Sequence, residues 1–195
     1  MILRKPYALL IKYFQKINLL LTLATIICAI VTIFMQPYQG VVVFLKNASI
    51  ILTVTLPYIL QKLFKVRIND GLTFIWIIFI FMAHYLGVVL EWHYSLPGFD
   101  KVTHTVSGVL SGYVATLILK HMKITNLMFS ILFIISFSFM CAGLWEIFEF
   151  TCNALFGGDA QRVAETGVTD TMLDIIVAFG GSVFVSIVYF IKNKK

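Results

Sequence analysis

The chain has 195 residues, of which 60% are hydrophobic and only 12% are charged. A soluble domain is typically about 45–50% apolar and about 25% charged, so this composition excludes an ordinary soluble protein and indicates a membrane protein. The net charge of +6 comes from short groups of Lys and Arg between apolar stretches, without a basic face, which argues against nucleic-acid binding.

Six apolar stretches are long enough to cross a bilayer as α-helices, which takes about 20 residues each. In chain order they cover residues 17–35, 41–60, 72–90, 101–119, 126–150 and 169–191. We therefore expect an all-α integral membrane protein, in which a bundle of six transmembrane helices forms a single domain over residues 1–195.

The segments between these stretches alternate in their basic residues. Twelve of the 15 Lys and Arg residues lie in the N-terminal segment, in every second loop and in the C-terminal tail. Because loops rich in Lys and Arg stay in the cytoplasm, the pattern predicts that both the N and C termini are cytoplasmic.

Eight of the nine acidic residues and three of the four histidines fall on the opposite, outer side. Several lie within the apolar stretches, where a charge costs at least about 2.5 kcal/mol unless it is paired, hydrated or bound to a cation. Pairs that are three or four residues apart share one helix face, so four helices present polar groups at similar depth. These site candidates are His84, Asp100, His104, Glu146, Glu149, Asp170 and Asp174.

Histidines among several carboxylates suit Zn, Mn or Fe better than an all-oxygen Ca or Mg site. Helical bundles also build metal sites from acidic and His side chains at helical spacing. We therefore expect a divalent metal ion, with Glu146 or Glu149 as the catalytic base that activates a metal-bound water. The expected metal ligands are His84, Asp100, His104, Asp170 and Asp174.

Structural roles stay open for part of this set. Asp100 and Asp170 also suit the N-termini of their helices, where the helix dipole favours negative charge. His84 equally suits a buried histidine that bonds to a neighbouring helix. Repulsion among the carboxylates requires protonation, a bound cation or a nearby lysine, for which Lys46 in the second stretch is a candidate.

Short motifs over residues 72–181 resemble those of known families. Residues 100–104 read Asp-Lys-Val-Thr-His, which resembles the D-K-x-x-H element of VanZ-like membrane proteins. The order that follows is still more similar to the YjdF-like family: Glu146-x-x-Glu149, a loop with Arg162, then Asp170 to Asp174 before a Gly-Gly pair. The resemblance implies a multi-pass protein of the bacterial cytoplasmic (inner) membrane with a polar site.

Three functions fit these observations. The first is a metal-dependent enzyme that acts on a membrane lipid or a lipid-linked envelope substrate, which a site on one side of the membrane favours. The second is a cation- or proton-coupled transporter, although the inner halves of the helices carry few ionisable groups. The third is a non-catalytic binding or sensor subunit that retains a metal without turnover.

Overall fold

The computed structural model describes residues 4–35, 40–65, 67–157, 159 and 161–194, with backbone alone for residues 4–12 and 40–43. Of these residues 88% are helical, and none lies in a strand. The helices are α1 (Arg4–Met35), α2 (Gly40–Phe64), α3 (Asp70–Ile80, continued by the π-helical segment Phe81–Val89), α4 (Trp92–Ser95), α5 (Phe99–His121), α6 (Leu127–Phe156), α7 (Val163–Thr166) and α8 (Thr169–Asn193).

Every predicted apolar stretch coincides with a long helix, which confirms the all-helical fold. Among the described residues, five segments are long and apolar enough to cross a membrane: Tyr13–Met35, Asp70–Val89, Phe99–His121, Leu127–Phe156 and Thr169–Asn193. The second predicted stretch forms α2, which contains Pro57 and is not one of these five. A sixth span and the cytoplasmic termini therefore stay predictions.

Large apolar side chains remain exposed along these helices, among them Leu20, Phe34, Leu132 and Ile187. Soluble monomers rarely expose contiguous apolar patches larger than a few hundred Å². Backbone groups of a helix are satisfied within the helix, so such apolar faces are stable against lipid. The exposed faces are those of a multi-pass membrane protein.

The helices group into two compact units, Met1–Pro97 and Gly98–Lys195. The first unit contains α1 to α4 around an apolar core of Ala29, Ile50, Val54, Ile77 and Ile80. Its buried threonines on α1 donate their hydroxyls to carbonyl groups four residues earlier in the same helix. The hydroxyl groups of these threonines are thus satisfied within α1 itself. The single-domain organisation stays a prediction.

The second unit contains α5 to α8, and α5 and α8 make its closest helix crossing. A Cβ at Gly108 would meet the backbone of Ala178, and a Cβ at Gly181 would meet the carbonyl oxygen of Thr105. Glycines at such positions let two helix backbones approach closely. The crossing places the N-terminal turns of α5 and α8 side by side, and those turns carry the acidic residues.

Helix α6 extends six residues beyond the predicted stretch and ends at Phe156. Thr151 supports this extension, because its hydroxyl donates to the Ile147 carbonyl at 2.7 Å. Gly157 then ends the helix with a φ of 75°. The segment between the fifth and sixth predicted stretches is therefore partly helical, since it also contains α7.

Candidate functional site

Lys101, in the first turn of α5, lies at the centre of a group of buried carboxylates. Its Nζ is 3.0 Å from Asp100 Oδ2, 2.7 Å from Asp170 Oδ1 and 2.8 Å from Asp174 Oδ1. It also donates to the backbone carbonyl of Asp170 at 3.4 Å. We call these four residues the aspartate cage. One ammonium group contacts three carboxylates there and offsets part of their charge, a role for which the sequence suggested Lys46 of the other unit.

His104 lies one turn along α5 from Asp100 and extends the cage. Its Nε2 is 3.5 Å from Asp100 Oδ1 and 3.7 Å from Asp174 Oδ1. Single ligand atoms of Asp100, His104 and Asp174 all lie within 4.8 Å of one another. Metal bonds of about 2.0–2.2 Å allow ligand atoms to be about 4 Å apart, so a small contraction would bring all three onto one ion.

Glu146 and Glu149, which we call the glutamate pair, come from the last turns of α6. Glu146 is 6% exposed; its Oε2 accepts a hydrogen bond from Gln161 Nε2 at 3.2 Å, while its Oε1 is buried without a hydrogen-bond partner. Glu149 Oε1 accepts from Trp145 Nε1 at 2.9 Å. Within the described residues, neither glutamate forms an ion pair with a Lys or Arg.

The cage and the glutamate pair belong to one electrostatic cluster. Glu149 lies within electrostatic range of Glu146, His104 and Asp100. Two glutamates and three aspartates thus lie near three basic side chains, Lys101, His104 and Arg162. Negative charge exceeds positive charge in this cluster, which is the condition that favours protons, a divalent cation or a cationic ligand.

Asp100 and Asp170 also occupy the first turns of α5 and α8, as the helix-terminus interpretation expects. Both nevertheless contact Lys101. Each therefore belongs to the cluster and also lies where the helix dipole favours negative charge. A structural role at the helix terminus and a role in the cluster therefore do not exclude each other for these two residues.

His84 is the one predicted metal ligand that lies in the first unit. It is buried within the π-helical segment, after which the Leu90 amide donates to the Tyr85 carbonyl five residues earlier at 2.9 Å. Such π-helical turns occur frequently at functional sites. Its role as a metal ligand stays a prediction.

Gln161 was missed by sequence reasoning, and the role of Lys101 was assigned elsewhere. Gln161 Nε2 donates to both the backbone carbonyl and the carboxylate of Glu146, at 3.2 Å each. A glutamine in a loop gives no sequence signal for this contact. Lys101 does give one, since it directly follows Asp100 at the start of an apolar helix that faces other acidic helix ends.

A family model described as "Predicted membrane protein (DUF2238)" matches residues 18–195 of the chain. The matched region contains α2 to α8, the aspartate cage and the glutamate pair. No curated protein and no solved structure matches the chain.

Proposed function

We propose that this chain, which belongs to the DUF2238 family of predicted membrane proteins, is a divalent-metal-dependent enzyme that acts on a lipid or lipid-linked envelope substrate. The proposal rests on two observations: the three ligand atoms of Asp100, His104 and Asp174 lie within 4.8 Å of one another, and the same unit contains a buried carboxylate oxygen of Glu146 without a hydrogen-bond partner. A buried polar atom without a partner costs about 1–3 kcal/mol. A ligand that binds to the Glu146 carboxylate is the simplest reason for the protein to keep this buried oxygen without a partner.

Two carboxylates and one imidazole suit Zn, Mn or Fe. Lys101 contacts Asp100 and Asp174, two of the three proposed ligands, so its ammonium group and a metal ion compete for them. If Asp100 and Asp174 held a metal ion, Asp170, the shortest contact of Lys101 at 2.7 Å, would be the carboxylate left to pair with this lysine. Asp170 is thus a partner of Lys101 in this proposal.

The glutamate pair supplies the base. A bound divalent ion lowers the pKa of a water molecule or polarises a phosphoryl or carbonyl oxygen. Gln161 holds one oxygen of the Glu146 carboxylate at 3.2 Å and leaves the other to accept a proton. Glu149, bonded to Trp145, is the second candidate base.

We also propose that the protein lies in the bacterial inner membrane. It crosses the membrane six times, with α2 as one of the spans, and both termini are cytoplasmic. The alternation of basic segments supports this orientation, which places the N-terminal turns of α5 and α8 at the outer leaflet. Lipid headgroups lie at that depth. The resemblance to YjdF-like and VanZ-like membrane proteins supports the same location.

The proposal is tested with the full chain in nanodiscs that contain bacterial lipids and lipid-linked envelope precursors. After chelation, Mn²⁺ or Zn²⁺ is restored and lipid products are followed by mass spectrometry. Metal-dependent product formation is expected in the wild type and a loss of about 10²–10⁴-fold in Glu146→Gln. The exposed Glu91→Gln serves as matched control and keeps full activity. A folded wild type that alters no lipid with any metal would contradict the proposal.

A cation- or proton-coupled transporter is the second candidate, and buried hydroxyls favour it. Ser111 Oγ donates to Ser138 Oγ at 2.8 Å. Ser182 and Ser186 are buried on α8, and Ser186 Oγ has no hydrogen-bond partner. These groups extend polarity from the cluster along α5, α6 and α8. Proton or cation flux in proteoliposomes without lipid turnover would favour this function over the enzyme.

A further inference from the structure

Arg162 is a second cationic side chain beside the cluster, in the loop between α6 and α8. Its Nη2 donates to Glu165 Oε2 at 2.9 Å, and its Nε is buried without a hydrogen-bond partner. The hydrogen bond with Glu165 raises the pKa of Arg162 above its usual value, so the group stays charged. Asp170 and Asp100 also act on it electrostatically, so it lies within electrostatic range of the aspartate cage.

The loop holds Arg162 in a conformation that a non-glycine residue rarely adopts, with a φ of 52°. Asp159 secures the following turn, because its carboxylate accepts from the Val163 amide at 2.7 Å and from the Ala164 amide at 3.0 Å. Thr166 Oγ1 donates to the Arg162 carbonyl at 2.9 Å. Backbone strain that surrounding contacts maintain is a recurring property of ligand sites.

The loop is also tied to the unpartnered carboxylate. Gln161, the residue before Arg162, bonds the backbone and carboxylate of Glu146, whose Oε1 is buried without a partner. The hydrogen bonds of Gln161 therefore connect the loop that carries Arg162 to the proposed base.

The partner that Arg162 now has is easily replaced. Glu165 has a side chain that is 70% exposed, and exposed ion pairs contribute little to stability. A phosphate group offers a better match to the planar guanidinium, which binds two of its oxygens through parallel N–H donors. The Nε without a partner supplies one of those donors.

We infer that Arg162 recognises a phosphate group of the substrate through Nε and Nη, and that Glu165 occupies this position until the phosphate binds. The inference rests on the proposed function, whose substrate class it narrows to phosphate esters. Lys101, with a side chain 26% exposed, lies in the same cluster and adds positive charge when a metal releases it from Asp100 and Asp174.

The test measures phosphate binding by the full chain in a phosphorus-free maltoside detergent. Inorganic phosphate and glycerol phosphate are titrated calorimetrically, and retention of phosphatidylglycerol against a galactolipid is followed by native mass spectrometry. If the soluble probes bind, a free phosphate group is sufficient for recognition. If only phosphatidylglycerol is selectively retained, the recognised group is the phosphate of a lipid headgroup. Either result supports the inference if it depends on Arg162.

Four variants make the result specific. Arg162→Gln is expected to weaken binding at least tenfold, and Arg162→Lys to recover only part of it because the bidentate geometry is lost. Glu165→Gln is expected to tighten binding, since it removes the competing carboxylate. Arg67→Gln, an exposed arginine of the first unit, is the matched control and leaves binding unchanged.

Wild-type affinity in Arg162→Gln, or weaker binding in Glu165→Gln, would overturn the inference. The second result is informative even where Arg162→Gln fails to fold. Metal content and lipid turnover are measured on the same preparations. If the metal content and lipid turnover are those expected but phosphate binding does not depend on Arg162, this inference alone is wrong. If the wild-type protein contains no metal and turns over no lipid, the proposed function itself is wrong.

Discussion

The aspartate cage and the glutamate pair lie in the same unit, yet their charges are balanced in different ways. The three aspartates share the Lys101 ammonium at 2.7–3.0 Å. Among the described residues, the hydrogen bonds that Glu146 and Glu149 accept come from neutral donors, Gln161 and Trp145. The cage therefore contains a lysine in direct contact with each of its carboxylates, whereas neither glutamate forms a direct ion pair with a Lys or Arg of the described residues.

The aspartate cage therefore stabilises the helix ends, whereas the glutamate pair remains available to a ligand. A buried ion pair is weak evidence for stability, but removing one partner from it is strongly destabilising. Neutralising a carboxylate that has no cationic partner removes no ion pair, so the stability of the fold changes little. Mutations should therefore act on stability through the cage and on activity through the glutamates.

The largest effect is expected from Lys101→Met, which removes the common cation of three carboxylates, two of them buried and one half-buried. We expect a loss of about 3–5 kcal/mol in the free energy of unfolding. The measurement is reversible unfolding in detergent, with the exposed Lys120→Met as matched control. A second substitution, Asp174→Asn, is expected to restore part of the loss in Lys101→Met. Equal stability of Lys101→Met and Lys120→Met would show that the cage does not need its lysine.

The next effect concerns the helix crossing that brings the cage together. A Cβ at Gly181 meets the Thr105 carbonyl, whereas a Cβ at the adjacent Gly180 meets nothing within 4 Å. Gly181→Ala is expected to cost about 1–3 kcal/mol through overpacking. Gly180→Ala is expected to be neutral or to stabilise by up to about 1 kcal/mol, because alanine favours helix. Unfolding of the two variants under the same conditions checks this, and identical stabilities would contradict the crossing.

A smaller effect is expected at the edge of the glutamate pair. Trp145→Phe removes the indole donor that Glu149 Oε1 accepts at 2.9 Å. A hydrogen bond to a charged group contributes about 1.5–3 kcal/mol, and less where the carboxyl group is protonated. We therefore expect a loss of about 1–2 kcal/mol in the unfolding free energy. No loss, with lipid turnover also unchanged, would remove Glu149 from the site.

The smallest effect on stability is expected from Glu146→Gln. The amide keeps an oxygen that can accept the Gln161 hydrogen bond and removes a carboxylate charge that has no cation beside it. Stability should change by less than about 1 kcal/mol, in either direction, while activity is lost. A large loss of stability in thermal unfolding would instead assign Glu146 to the structural core.

The sequence was sufficient to predict the helices and the acidic ends of α5, α6 and α8, because apolar length and helical spacing follow from local chemistry. It did not predict that Lys101 pairs with Asp170 and Asp174, which are 69 and 73 residues away. That contact depends on the register of α5 against α8, which Gly108 and Gly181 set by allowing close approach. The Gln161 contact depends on a loop conformation, for which local spacing gives no signal.

Elemental analysis of the purified protein tests the central claim most directly. We predict about one equivalent of Zn, Mn or Fe in the wild type, retained in the exposed His121→Ala control and lost in His104→Ala and Asp174→Asn. Unfolding curves confirm that the variants are folded. A wild type without metal, whose thermal stability does not change on addition of these ions, would contradict the account.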